Sequence, residues 1–223
     1  MADFIIKPAS GDTLKLQDEG GDDAISISTT GATTFAEVAT FSGGVLGNLG
    51  NGFMHIETLT ASGTPTEMHI EDCFTSTYTN YLLQVSDYLP STDGQDTKIN
   101  FSTGGTPNTG SYYWYTWAGV KTSDGTDYRL NAKDVAFVYM NPNCANDGAG
   151  CSGTWFIHQP QTTAGYAMGH GVTGVDHNGG YFVGGAHHFG WRGNTEFNGI
   201  KLSVGTGTIG NGAKMTVYGM KES

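Results

Sequence analysis

Four of the seven histidines lie between positions 170 and 188: His170, His177, His187 and His188. Neutral imidazole is a common ligand for zinc and related ions, so a metal could be held if His170, His177 and one of the adjacent pair converged. In a symmetric trimer, one histidine per chain could also meet an ion on the axis. Against this, neighbouring residues of a strand point to opposite faces, so His187 and His188 cannot readily serve one ion together. The competing expectation is polar packing that responds to pH.

A second constellation is Tyr112-Tyr-Trp-Tyr-Thr-Trp117. In a strand, Tyr112, Trp114 and Thr116 share one side, and Tyr113, Tyr115 and Trp117 share the other. One face belongs to the core. The other is a sugar-stacking platform or a subunit interface, and Tyr113, Tyr115 and Trp117 are the candidates for that role. The stretch Gly205-x-Gly207-x-x-Gly210 matches a dinucleotide fingerprint in its letters. That chemistry needs a strand before the loop and a helix after it; here an alternating, strand-like run follows, so the glycines read as a turn. Asp18, Glu19, Asp22 and Asp23 crowd one segment without the spacing of a calcium loop, which leaves a solvated acidic turn. No nucleophile elbow, HExxH or recognisable carboxylate pair is present. The residues call for no cofactor and support no reaction, so the expectation is a protein that is not an enzyme.

Of three cysteines, Cys144 and Cys151 flank the loop Ala-Asn-Asp-Gly-Ala-Gly and could close it, while Cys73 is left over. An odd count does not read as a disulfide framework. The N-terminal Met1-Ala-Asp-Phe-Ile-Ile-Lys-Pro lacks a basic stretch followed by an apolar one and is read as no export signal. Ten basic against twenty-one acidic residues give a net charge of −11, which argues against nucleic acid and anionic membrane as partners. No apolar run reaches the length of a membrane span.

The elements that must position these groups are strands. Glycine accounts for 35 of 223 residues and charged residues for 14%, a balance that disfavours helix and favours strands joined by tight turns. Residues 1–52 contain no Trp and no Tyr. They hold short strands (Phe4–Ile6, Thr13–Gln17, Ala24–Ser28, Thr33–Phe41) and end in a Gly/Asn-rich joint over 42–52. So small a segment needs neighbours to complete its core. It reads as an attachment or oligomerisation segment, distinct from a domain over 53–223.

In that domain we expect strands at 53–61, 67–71, 81–88, 97–102, 112–117, 127–130, 135–140, 154–158, 180–184, 186–191, 197–204 and 213–220. The last two form a hairpin. A short helical turn is expected at 72–79, capped by Asp72, and long irregular stretches at 141–153 and 159–179. Many short strands with regular turn signals predict an all-β fold: an antiparallel, jelly-roll-like β-sandwich behind a small strand-rich segment.

Several runs carry a family resemblance. They are Phe53-Met-His-Ile-Glu-Thr-Leu-Thr, then Met68-His-Ile-Glu-Asp-Cys-Phe-Thr-Ser-Thr-Tyr-Thr-Asn-Tyr-Leu-Leu, then Leu89-Pro-Ser-Thr, the aromatic run, and the closing Val217-Tyr-Gly-Met-Lys221. In this order they resemble the β-sandwich of bacteriophage tail-fibre and decoration proteins, notably of marine phages, over residues 53–221. The resemblance implies a non-enzymatic virion structural protein, a short fibre or capsid decoration protein. Such a protein would be assembled in the host cytoplasm, exposed on the particle, and a homotrimer bound to other capsid or tail proteins. The alternative is a receptor-binding fibre tip or carbohydrate-binding module that recognises a host surface glycan.

Overall fold

The computed structural model describes residues 52–220 in full. Before them it describes only the backbone of three strands, β1 (Leu14–Gln17), β2 (Asp23–Ile27) and β3 (Thr33–Phe35). These three form an antiparallel sheet in the order β1-β2-β3. The expected strand at Phe4–Ile6, the acidic turn up to Asp22 and the joint before Gly52 lie outside the described residues. The chain divides into two units, residues 1–49 and 50–223.

Alternation builds the second unit. In β6 (Asn80–Tyr88), Tyr81, Leu83 and Val85 are buried while Leu82 and Gln84 face away from the core. A period of two of this kind suits a sheet covered on one side only. With β4 (Phe53–Thr60), β16 (Lys214–Met220) and β12 (Cys151–His158), it makes a sheet in the order β4-β16-β6-β12. Opposite stand β5 (Glu67–Ile70), β15 (Gly199–Val204), β7 (Gln95–Thr103) and β11 (Val138–Cys144), in the order β5-β15-β7-β11. All these pairings are antiparallel. First strand beside last, second beside second-to-last, alternately in two sheets, is the winding of a jelly roll.

Two hairpins are inserted into that winding. Strands β9 (Tyr113–Lys121) and β10 (Asp127–Val135) follow the short β8 (Thr106–Pro107), and β13 (Ala167–His177) and β14 (Tyr181–Trp191) follow β12. Both hairpins extend the first sheet, which continues β12-β13-β14-β9-β10. The all-β sandwich expected from the composition is therefore present, with one layer of eight strands and one of four beside the short β8, the two layers joined where Cys144 of β11 pairs with His177 of β13.

The core between the sheets is aromatic. Trp117, Trp155, Trp191, Tyr81, Tyr113 and Phe101 are among its largest fully buried side chains. Phe101 stacks on Phe197 at 4.9 Å, and Tyr113 meets Trp191 edge-on at 4.7 Å. The polar ends of these rings find partners inside: Trp117 Nε1 donates to Thr173 Oγ1 at 2.7 Å, and the Phe101 amide donates to the Tyr113 hydroxyl at 2.8 Å. Trp117 and Tyr113 are thus buried with their polar atoms paired, whereas the Trp191 indole N–H and the Tyr88 hydroxyl are buried without a partner.

Three local expectations are corrected. The strands expected at 197–204 and 213–220 form as β15 and β16, but they lie in opposite layers and do not pair with each other: β15 lies between β5 and β7, and β16 between β4 and β6. The glycine-rich stretch between them carries the chain from one sheet to the other and precedes a strand. Residues 72–79 are turn and coil, and Asp72 sits at φ 52° with its carboxylate accepting from Asn198 Nδ2 at 2.6 Å. Finally, much of the stretch read as irregular at 159–179 is β13, the longest strand together with β14.

Candidate functional site

The register of the wide sheet decides where the aromatic run points. Trp191 pairs with Tyr113, Phe189 with Tyr115 and His187 with Trp117, and all six face the core. Tyr113, Tyr115 and Trp117 are therefore core residues and cannot form an outward platform. Their partners on β14 are the large rings of Trp191 and Phe189 and the buried imidazole of His187, which draw this parity inward. Trp114 and Thr116 occupy the outward face instead, and Tyr112, just before the strand, is half exposed.

The histidines separate in the same way. His187 is fully buried and accepts the Trp155 indole N–H at Nδ1, 2.9 Å away. Burial pushes its pKa down to about 3. Its proton then sits on Nε2, which has no hydrogen-bond partner. His188 points outward, beside His170 in register, with the rings 6.2 Å apart. His170 in turn stacks on His158 at 5.0 Å, and His158 Nε2 lies 3.1 Å from His170 Nδ1. Burial, then the charge of His170, holds His158 below its ordinary pKa. His177 lies seven residues along β13 from His170, about 23 Å at strand rise, stacked on Tyr181 at 4.5 Å. The four candidate ligands therefore do not converge, and no group of three or more His, Cys, Asp or Glu among the described residues is placed to hold a metal.

Cys144 and Cys151 form a disulfide that closes the loop between β11 and β12, and Cys73 is free and buried. Ser102, His69 and Glu71 come together on the narrow sheet. The serine hydroxyl and the glutamate carboxylate meet the same nitrogen, His69 Nε2, and Ser102 is fully buried. A serine-activating relay needs the two imidazole nitrogens to face different partners, so this trio is a hydrogen-bonded structural contact.

The outer face of the wide sheet carries two features that the sequence did not single out. The first is a hollow of about 460 Å³ at one end of β9, β13 and β14. Met168, Gly190 and Trp114 stand side by side across the three strands. Gly190 forms the floor, and Met168 and Trp114 form the walls. Tyr166, Arg192 and Lys133 complete the rim, with His188, Asn131 and Thr116 along one side. Arg192 lies over the Trp114 ring at 4.2 Å, and the Trp114 indole N–H donates to Asp134 Oδ1 at 2.9 Å. The tryptophan is thereby fixed from two directions.

The second feature is a smooth strip further along the same strands. Val172, Ala186 and Ala118 form one register row; Gly174, Gly184 and Val120 form the next. Val172 is 64% exposed and Val120 51%, and no charged side chain belongs to either triplet. A Cβ added to Gly174 or Gly184 would meet nothing closer than 4.0 Å. The chain's own packing therefore gives no reason for glycine at these two positions.

Comparison with known protein families finds no match, and neither does comparison with curated proteins.

Proposed function

We propose that this chain is a non-enzymatic structural protein of a bacteriophage virion, a short fibre or capsid decoration protein that self-associates as a homotrimer. Residues 1–52 attach it to other virion proteins, and the sandwich is displayed outward on the particle. The observation that carries the reading is the strip Val172–Ala186–Ala118 with Gly174 and Gly184. Glycine weakens a strand by roughly 0.5–1 kcal/mol relative to alanine, and a registered pair of outward glycines is of use where another backbone approaches closely. Exposed, uncharged and flat, such a strip is what a subunit contact covers. The jelly-roll winding is compatible, since it recurs in viral capsid and lectin domains, although a fold alone assigns no function. Threefold symmetry and the virion setting come from the sequence resemblance.

Light scattering on the full chain tests the self-association. A trimer mass that falls to a monomer in Ala186→Arg, with the melting temperature unchanged, supports the contact. A monomer at micromolar concentration in the unmodified protein, or a trimer that tolerates the arginine, overturns it. Deletion of residues 2–52 should abolish incorporation into particles. Copy number per particle then separates the roles: hundreds mean decoration, a few dozen or fewer mean a fibre.

A further inference from the structure

We infer that the hollow between Met168 and Trp114 is a binding site for an acidic saccharide, a sugar ring carrying a carboxylate. The inference stands on the hollow alone and does not need the virion reading.

The first step concerns what the backbone can offer. The hollow sits on the face of β13, β14 and β9, each hydrogen-bonded to neighbours on both sides. The open edge of the sheet is the far side of β10, which pairs only with β9 and lends Asn131 and Lys133 to the hollow, so a peptide added there as a strand would lie beside the hollow and not in it. Recognition must come from side chains.

Those side chains supply two chemistries. Trp114, Tyr166 and Met168 are large apolar groups left 38%, 50% and 52% exposed. Such surfaces suit the C–H face of a sugar ring, which stacks on aromatic and thioether groups. Arg192, Lys133, Asn131 and His188 supply hydrogen-bond donors. No carboxylate is among the lining residues, and Asp134 at the margin is engaged by the Trp114 indole N–H, in a chain whose acidic residues outnumber basic ones by 21 to 10. Neither Arg192 nor Lys133 has a carboxylate partner among the described residues. A cation stacked on an indole keeps its in-plane N–H groups available for a bidentate contact. Carboxylate is the anion that such a fork matches, and a sugar is the body that the apolar walls match.

The dimensions agree. Met168 and Trp114 are separated by the one strand that carries Gly190, so their backbones stand about 10 Å apart, two inter-strand spacings. That gap admits a single ring seated over the glycine. A Cβ on Gly190 would meet nothing closer than 3.5 Å, so its absence serves the open floor and not the internal packing. The volume, about 460 Å³, lies in the range of small-molecule sites.

The test is calorimetric titration of the full chain with sialyllactose and a glucuronic-acid disaccharide, with lactose and poly-glutamate as controls. The expected result is saturable binding of at least one acidic saccharide, tenfold or more tighter than lactose. Arg192→Gln and Lys133→Gln should each weaken it several-fold, and Trp114→Ala should abolish it, all three with unchanged melting temperature. Absence of saturable binding to both acidic sugars overturns the inference. So does equal affinity for poly-glutamate, which would reveal a charge patch without saccharide recognition, and so does binding that survives Trp114→Ala. The three variants should keep the light-scattering mass of the parent, so loss of sugar binding and failure of the assembly reading are separately visible.

Discussion

Gly171 and Gly174 lie three residues apart on β13, and a methyl group added to each would meet opposite surroundings. At Gly171 it would stand 2.0 Å from the Thr154 carbonyl oxygen and 2.8 Å from the Trp155 Cα. At Gly174 it would find open space out to the Ser152 hydroxyl at 4.0 Å. The same contrast runs through the sheet. Gly169 lies beneath the Phe189 ring, Gly153 beneath Trp155, and Gly185 against the Ala118 carbonyl, whereas Gly184 on the outer face meets nothing nearby. Inward glycines are thus accounted for by the Phe189 and Trp155 rings and by the neighbouring backbone that crowd them. Outward glycines are not, and they mark where the chain's own energetics stop explaining its sequence.

The largest expected effect lies on the inward side. Gly171→Ala places a methyl group against backbone that cannot swing away, so β12 and β13 must part. We expect a loss of about 4 kcal/mol or more, read as insoluble expression or a collapsed denaturation midpoint. A well-folded Gly171→Ala protein would break the division between the two classes of glycine.

Acid should come next in size. The pKa of His187 falls to about 3 in the folded protein, against an ordinary value of 6.5, because burial disfavours its charged form. The unfolded chain therefore takes up the proton first as pH falls. Stability is complete above about pH 6.5 and is lost progressively toward about pH 3, by roughly 3 kcal/mol at pH 4. His158 and His177 are shifted in the same direction, mainly by burial. Melting temperatures from pH 8 to pH 4 should fall for the parent and fall less for His187→Gln. Parallel curves for the two proteins would remove His187 from the account.

These inward glycines and histidines also explain what was legible in the sequence. Strands such as 80–88, 95–103 and 199–204 could be read because apolar residues recur at every second position over part of each: 81, 83 and 85; 99 and 101; 200 and 202. β13 could not. Its run Ala-Met-Gly-His-Gly-Val-Thr-Gly-Val-Asp-His places glycine on the buried parity at 169 and 171, so the core side reads as a turn. The apolar bulk that fills those positions arrives from Phe189 and Trp155 on neighbouring strands. β9 failed for the opposite reason: it is aromatic at both parities, and only pairing with Phe189 and Trp191 decides which one is buried. That is why Tyr113, Tyr115 and Trp117 were misassigned and Trp114 was missed. In the closing strands the alternating apolar residues Ile200, Leu202, Met215 and Val217 are the buried ones. Their pairing was invisible, because in a jelly roll the long-range partners β5 and β4 outcompete the sequence neighbour. The hollow draws on residues from 114 to 192 and has no local signal.

The disulfide offers an intermediate test of how firmly the strip is held from below. Cys151 pairs in register with Val175, and Cys144 with His177, at the far end of β13 from the hollow. Closing so short a loop contributes about 2–3 kcal/mol in the chain-entropy picture. Reduction, or the Cys144→Ser/Cys151→Ser double variant, should lower the denaturation midpoint accordingly while leaving the self-association intact. Loss of assembly on reduction would mean that the strip depends on this corner and not on the inward packing of Gly169 and Gly171.

The smallest expected change in stability is the sharpest test of the comparison. Gly174→Thr and Gly184→Thr place β-branched residues on an open sheet face, where threonine fits a strand better than glycine does. Each should leave the isolated fold unharmed or raise its stability by about 0.5–1 kcal/mol, measured by chemical denaturation. The double variant should at the same time lose the trimer by light scattering, because two side chains now stand where a second backbone must approach. A fold gained and an assembly lost, in one protein, is an outcome that internal packing cannot produce. If both stability and assembly rise together, the outward glycines serve no partner, and the strip is simply exposed sheet.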